Sequence, residues 1–146
     1  MADAIATFWY PAGLATFFST IWVSDTIKIK LCTSSSNAGS QESLSNISAV
    51  TNEVTGVTGY TSGGATLSNK TATVVTNSNL IKLDADDPSW TVTPGTITCR
   101  YAVIYHVSSG AVLGCIDFGQ DKTDTSGTFG IVFTTAGALP ITYIEK

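Results

Sequence analysis

Apolar and polar residues alternate with a period of two in many short runs, and Gly, Ser, Asn or Asp closes each run. That period places successive side chains on opposite faces of a pleated strand, so a chain written this way folds as sheet. The clearest stretch is Ile97 to Val107. Ile97, Cys99, Tyr101, Val103, Tyr105 and Val107 share one face, and Thr98, Arg100, Ala102, Ile104 and His106 share the other. Both faces turn apolar near the middle, which predicts a central strand. Thr26–Thr33 alternates as cleanly, with Ile27, Ile29 and Leu31 on one face and Lys28 and Lys30 on the other.

Ser108-Ser109-Gly110 predicts a hairpin into a strand over Ala111–Phe118. Further strands are expected at Val54–Tyr60, Ala65–Val75, Leu80–Asp84, Trp90–Thr93, Thr128–Thr134 and Ile141–Ile144. Ser34–Ser40 and Asp121–Gly127 read as loops on their turn residues. Helix is scarce. Ser40 is placed to cap a short helix over Gln41–Val50, and a turn or two is expected around Leu14–Ser19. Gly56–Gly64 predicts a pair of turns needing positive φ, with Tyr60 held between them. The sum is a mainly β fold: a single-domain β-sandwich or jelly-roll-like protein with one or two short helices. Residues 25–146 form the sandwich, and residues 1–24 form an apolar arm or short helix.

A chain of 146 residues fits one domain and buries enough surface to fold without metal or disulfide. Charged residues are only 12%, about half the usual share, and Ser, Thr, Asn and Gly take their place. Such a surface has few charges to hold neighbouring molecules apart, as in a protein that lives packed against others. Lys and Arg number 7 against 11 Asp and Glu, with no basic cluster, so nucleic acid is not expected as a partner. The apolar opening, Phe8 to Val23, has no Lys or Arg before it, carries Asp3 upstream, and is interrupted by Pro11 and Gly13. It is read as neither a signal peptide nor a membrane span. Cys32, Cys99 and Cys115 lack metal-ligand spacing and are expected to be small buried hydrophobes.

Catalytic patterns are sparse. His106 is the only histidine, and as part of an alternating strand it reads as a surface residue. The chain contains no GxSxG elbow, HExxH pair or phosphate loop. Asp84, Asp86 and Asp87 form one acidic run, and Asp117, Asp121 and Asp124 a second. Either could offer hard oxygen ligands to Ca²⁺, but neither has EF-hand spacing, and Asp86-Asp87-Pro88 suits a turn. No enzyme activity, cofactor or metal is expected. The aromatic group Phe8, Trp9, Tyr10, Phe17, Phe18 and Trp22 is the strongest candidate for contact with a partner, because aromatics give large area at low entropic cost. Two readings of it stand open: interface anchors, or the closing of a core.

The segments Asp25-Thr26-Ile27-Lys28, Val50-Thr51-Asn52-Glu53-Val54 and Gly59-Tyr60-Thr61-Ser62-Gly63-Gly64-Ala65-Thr66-Leu67 occur in order. Leu83-Asp84-Ala85-Asp86-Asp87, Trp90, Ile97-Thr98, Arg100-Tyr101-Ala102-Val103-Ile104-Tyr105 and Ile116-Asp117-Phe118-Gly119 follow. This collinear set, from about Asp25 to Phe133, resembles a family of small tailed-bacteriophage virion structural proteins. The opening FWYPAGLATFF and the segment Ser34–Ser45 depart from the family pattern. The resemblance implies a non-enzymatic virion protein made in the bacterial host cytoplasm. Its preferred version is a capsid decoration (cement) protein that binds at capsomer junctions and stabilises the head. The implied partners are the major capsid protein and copies of itself, as a homotrimer, with no membrane. A tail component or head-fibre base is the first alternative. A carbohydrate-binding module using Trp90 or Tyr60 is the second.

Overall fold

The computed structural model describes residues 11–40, 43–75, 80–135 and 137–142, with the side chains of residues 11, 14, 17, 126, 141 and 142 outside that description. The protein is mainly β, with two antiparallel sheets and one helix, the class expected from the alternation. The chain divides into two compact units. The larger comprises Thr26–Ser68 and Asp87–Val132, and the smaller Met1–Asp25, Asn69–Asp86 and Phe133–Lys146.

In the larger unit, β1 (Ile27–Cys32), β2 (Ala65–Thr66), β5 (Ser89–His106) and β6 (Val112–Gly130) form one sheet in the order β2-β1-β5-β6. Ile27, Ile29 and Leu31 are fully buried, as the alternation of β1 requires. On the opposite face of β1, Lys30 is buried too, only 6% exposed. β1 lies inside the sheet, and Glu53 reaches its outer side from the loop beyond it. Burial on β5 alternates through Cys99 and becomes continuous over Ala102–Tyr105, where neighbours flank it on both edges. This is the central strand that the doubly apolar stretch predicted.

Two expected breaks are absent. Trp90–Thr93 and Ile97–His106 belong to the single strand β5, because the ladder to β6 skips Pro94 and Gly95 by a register shift between Val92 and Thr96 and then resumes. Pro lacks the N–H a ladder position needs, and an irregularity absorbs it. Likewise Asp121–Gly127 is not a loop but the middle of β6, with Thr125, Asp124, Thr123 and Lys122 opposite Thr96, Ile97, Thr98 and Cys99. Turn-forming residues are tolerated there because β6 is an edge strand and, among the described residues, this part of it is backbone-bonded only to β5. The hairpin at Ser108-Ser109-Gly110 is where it was expected.

Val54–Tyr60 is loop and not strand. Gly56 and Gly59 take φ of 70° and 89°, and Val54 donates to the Leu31 carbonyl at 2.9 Å before the chain turns away. The helix expected over Gln41–Val50 reduces to a 3-10 turn, Ile47–Ala49, capped by Asn46 through Ser48 N–H. Residues 41 and 42 lie outside the described residues. Ser40 instead ends a 3-10 turn at Asn37–Gly39, whose cap is the buried Ser36.

In the smaller unit, α1 (Pro11–Trp22) is longer than the turn expected at Leu14–Ser19. Pro11 opens it, at the position where a missing N–H costs nothing. β3 (Thr71–Val75), β4 (Leu80–Asp84) and β7 (Leu139–Thr142) form the second sheet in the order β3-β4-β7, and α1 packs on β3. Ile81 and Leu83 point inward from β4. The Ala65–Val75 strand expected from sequence is broken in two, since Asn69 turns the chain with φ of 48° between β2 and β3. β7 lies two residues earlier than expected, at Leu139 in place of Ile141.

Candidate functional site

Of the six aromatic anchors expected near the start, Phe8, Trp9 and Tyr10 lie outside the described residues, as does the Phe17 side chain. Phe18 is half-buried. Trp22 is 2% exposed, and its indole N–H donates to the Asp84 carbonyl at 3.0 Å. Within the smaller unit Trp22 is therefore a core residue, its apolar ring covered and its polar atom satisfied, which the buried indole requires. Its own chain covers it, so it offers no surface to a partner.

In the larger unit a second aromatic group forms a chain of contacts. Tyr60 and Trp90 have ring centroids 5.9 Å apart, Trp90 and Phe129 6.1 Å, and Phe118 and Phe129 6.5 Å, all tilted or edge-on. Trp90 and Phe129 are direct partners across the β5–β6 ladder, the pairing that cross-strand aromatics favour. Trp90 is 6% exposed and Tyr60 8%. A sugar platform needs an open ring face, so the two residues named for the carbohydrate-binding alternative are spent on the core.

The polar centre of this unit is a network that sequence spacing does not reveal. The Tyr60 hydroxyl accepts the Leu31 N–H at 2.9 Å and donates to Glu53 Oε1 at 3.0 Å. Glu53 also accepts the Gly63 N–H and lies 3.7 Å from Lys30 Nζ. The Tyr105 hydroxyl donates to the Gly63 carbonyl at 2.8 Å. The ion pair is long for a charge-assisted bond, and the hydrogen bonds to Glu53 hold it more firmly than the lysine does. Burial is the main reason the Tyr60 phenol is pushed far above its ordinary range, with the nearby Glu53 charge adding to it. Sequence could flag Tyr60 between its glycines. Glu53 carries no local pattern, because its partners come from distant positions.

Several residues with catalytic or metal-binding potential are tied up in local contacts. Asp84 pairs with Lys82 at 2.7 Å, and Asp86 accepts from Asn69 at 2.6 Å. Asp117 takes a two-point contact from Arg100, at 2.6 and 3.2 Å, and accepts the Gly119 N–H. The hydrogen bond from Arg100 is the main cause that holds the Asp117 carboxyl below its ordinary value. His106 ends β5 with Nδ1 2.7 Å from Ser109 Oγ and Nε2 3.0 Å from Ser108 Oγ, so both ring nitrogens tie down the hairpin turn. Among the described residues, no group of three or more His, Cys, Asp or Glu is placed to hold a metal ion. Among them, too, no helix is long and apolar enough to cross a membrane.

Cys32 and Cys99 are buried as expected, but Cys115 is exposed on β6, a correction to the expectation of three buried thiols. It lines a cavity of about 320 Å³ with Ala38, Leu44, Val103, Val112, Leu113 and Gly114. On the outer side of β6, no backbone hydrogen bond among the described residues joins Leu113–Gly130 to any segment but β5. No protein-family model, curated protein or solved structure matches the chain.

Proposed function

We propose that this chain is a non-enzymatic virion structural protein of a tailed bacteriophage, a capsid decoration protein that binds where capsid subunits meet. The observation that carries the reading is how the reactive side chains are used. His106, Glu53, Arg100, Asp117, Lys82 and Asp84 are each engaged in a local structural contact, while the exposed positions of β6 are dominated by Thr, Gly and Asp. A surface of that kind favours many weak, parallel contacts with neighbours over turnover of a substrate. The resemblance to virion proteins, collinear over most of the chain, supports the same reading. Binding adds buried area between shell subunits and opposes outward pressure on the shell.

A cryo-electron map of the particle that carries the protein tests the reading. Density on the head lattice at capsomer junctions is expected. Density on the tail would move the protein to the tail-component alternative, and its absence from the particle would overturn the virion role. Deleting residues 2–10 asks what Phe8, Trp9 and Tyr10 do. Loss of capsid binding with an unchanged fold is expected for an anchoring arm, and loss of folding would assign them to the core.

A further inference from the structure

β6 is a long strand at the outside of its sheet, and among the described residues no backbone group outside β5 pairs with its Leu113–Gly130 edge. Exposed edges of this kind template pairing with another strand unless something blocks them. Three stretches of the β5–β6 ladder run without a register shift over four consecutive pairs: residues 114–117, 122–125 and 127–130 of β6. In the first, Asp117 is already held by Arg100, and the loop at Ser45 and Asn46 bonds the strand just before it. The third has no charged residue. The middle stretch reads Lys122-Thr123-Asp124-Thr125.

We infer that β6 pairs antiparallel with β6 of a second copy of this chain, about a two-fold axis at Thr123. A two-fold perpendicular to the sheet places residue i opposite a residue on the same face, so the axis must pass between two copies of one residue. With the axis at Thr123, Lys122 faces Asp124 of the other copy, and Asp124 faces Lys122, giving two cross-strand ion pairs from one register. Thr123 meets Thr123 at the axis, where its hydroxyl, 2.9 Å from Thr98 Oγ1 on β5, places no charge. Moving the axis to Lys122 or Asp124 would set like charges directly opposite each other.

The two charged side chains are available for this. Lys122 is exposed, Asp124 is half-exposed, and neither forms an ion pair among the described residues. The register shift between Cys99 and Tyr101, where residues 118–121 of β6 stand opposite Arg100 alone, limits the new ladder to about the 121–125 segment. The contact is therefore short and weak, suited to a subunit held in place by many contacts. It joins two four-stranded sheets edge to edge. It deepens the assembly reading by naming one contact between copies. It is a two-fold contact, and the trimer expected from sequence would need a different one.

Sedimentation velocity on the purified full chain tests it. A monomer–dimer equilibrium within the range up to about 1 mM is expected. Lys122→Asp and Asp124→Lys should each weaken the dimer roughly tenfold or more, since each sets like charges opposite twice. The double variant Lys122→Asp/Asp124→Lys should restore it, because the swap rebuilds both pairs. Circular dichroism confirms that each variant is folded. A wild-type chain that stays monomeric throughout overturns the inference, as does a dimer indifferent to single reversals or a folded double variant that fails to recover. Because no capsid is present, these outcomes are separate from success or failure of the virion reading.

Discussion

The Tyr60 hydroxyl donates to Glu53 Oε1 at 3.0 Å in a site where Tyr60 is 8% exposed, and the phenol oxygen accepts the Leu31 N–H at 2.9 Å. One phenol thus satisfies a strand amide of β1 and a carboxylate on a loop. Tyr60→Phe keeps the ring against Trp90 but leaves both groups short of a partner. The cost should be about 2–3 kcal/mol, the range for a buried hydrogen bond to a charged group together with an orphaned donor. Urea unfolding should show a lower midpoint at unchanged slope. A shift below about 0.5 kcal/mol would mean that water replaces the hydroxyl.

Two glycines with similar backbone angles should respond differently to alanine. Gly64 (φ 72°) and Gly56 (φ 70°) both occupy the left-handed region. A Cβ on Gly64 would run into the Ile29 carbonyl oxygen and the Lys30 Cα, whereas one on Gly56 meets nothing within 4 Å. Gly56→Ala should cost about 1–2 kcal/mol, the left-handed penalty alone. Gly64→Ala must also push β1 aside and should cost at least about 3 kcal/mol or prevent folding. Thermal unfolding of the two variants side by side checks the ordering.

These residues mark where sequence is informative. Ile27, Ile29 and Leu31, the central strand through Val103, and Tyr60 between its glycines were legible because each depends on local period or turn chemistry. The Asp121–Gly127 stretch was misread, because Asp, Ser and Gly signal a turn unless a partner strand is known, and β5 supplies that partner from positions 92–99. Val54–Tyr60 reads as strand in the sequence, but the positive φ of Gly56 and Gly59 makes it loop once Val54 has bonded Leu31. Glu53 was invisible as a network centre, since its ligands sit at 30, 60 and 63 and no spacing rule links them. For Trp22 the sequence leaves core and interface both open, and its burial within its own unit decides between them.

The three thiols should separate by pH. Cys115 is exposed and lines a cavity of about 320 Å³, and its partial burial pushes the thiol up to about 11. Burial pushes Cys99 up to about 12 and raises Cys32 as well. The thiolate is the reacting form, so at pH 8 about one Cys115 in a thousand is reactive. Labelling with a disulfide reagent should be slow at pH 8 and accelerate about tenfold per pH unit, with Cys32 and Cys99 reacting only after unfolding. The raised values also set a sign for stability. The unfolded chain loses these protons near the ordinary value of 9.0, while the folded chain keeps them. Stability is therefore intact below pH 9 and falls as pH rises towards the folded values. Cys99→Ala should flatten that alkaline loss in urea midpoints measured at pH 8 and pH 10. Equal losses in both proteins would contradict the assignment to Cys99.

Trp22 fixes the end of α1 to β4 through the bond from its indole N–H to Asp84 O, and its ring is almost wholly covered. Trp22→Phe keeps most of the packing and removes the donor, which should cost about 1–2 kcal/mol. Trp22→Ala also opens a cavity and should cost about 3–5 kcal/mol. Hydrogen exchange locates the damage. Amides of β3 (Thr71–Val75) and β4 (Leu80–Asp84) should lose protection in Trp22→Ala, because the helix that covers β3 is released from its anchor. If Trp22→Ala left those amides protected and the midpoint unchanged, the indole would not be core, and its place among the candidate anchors would stand again.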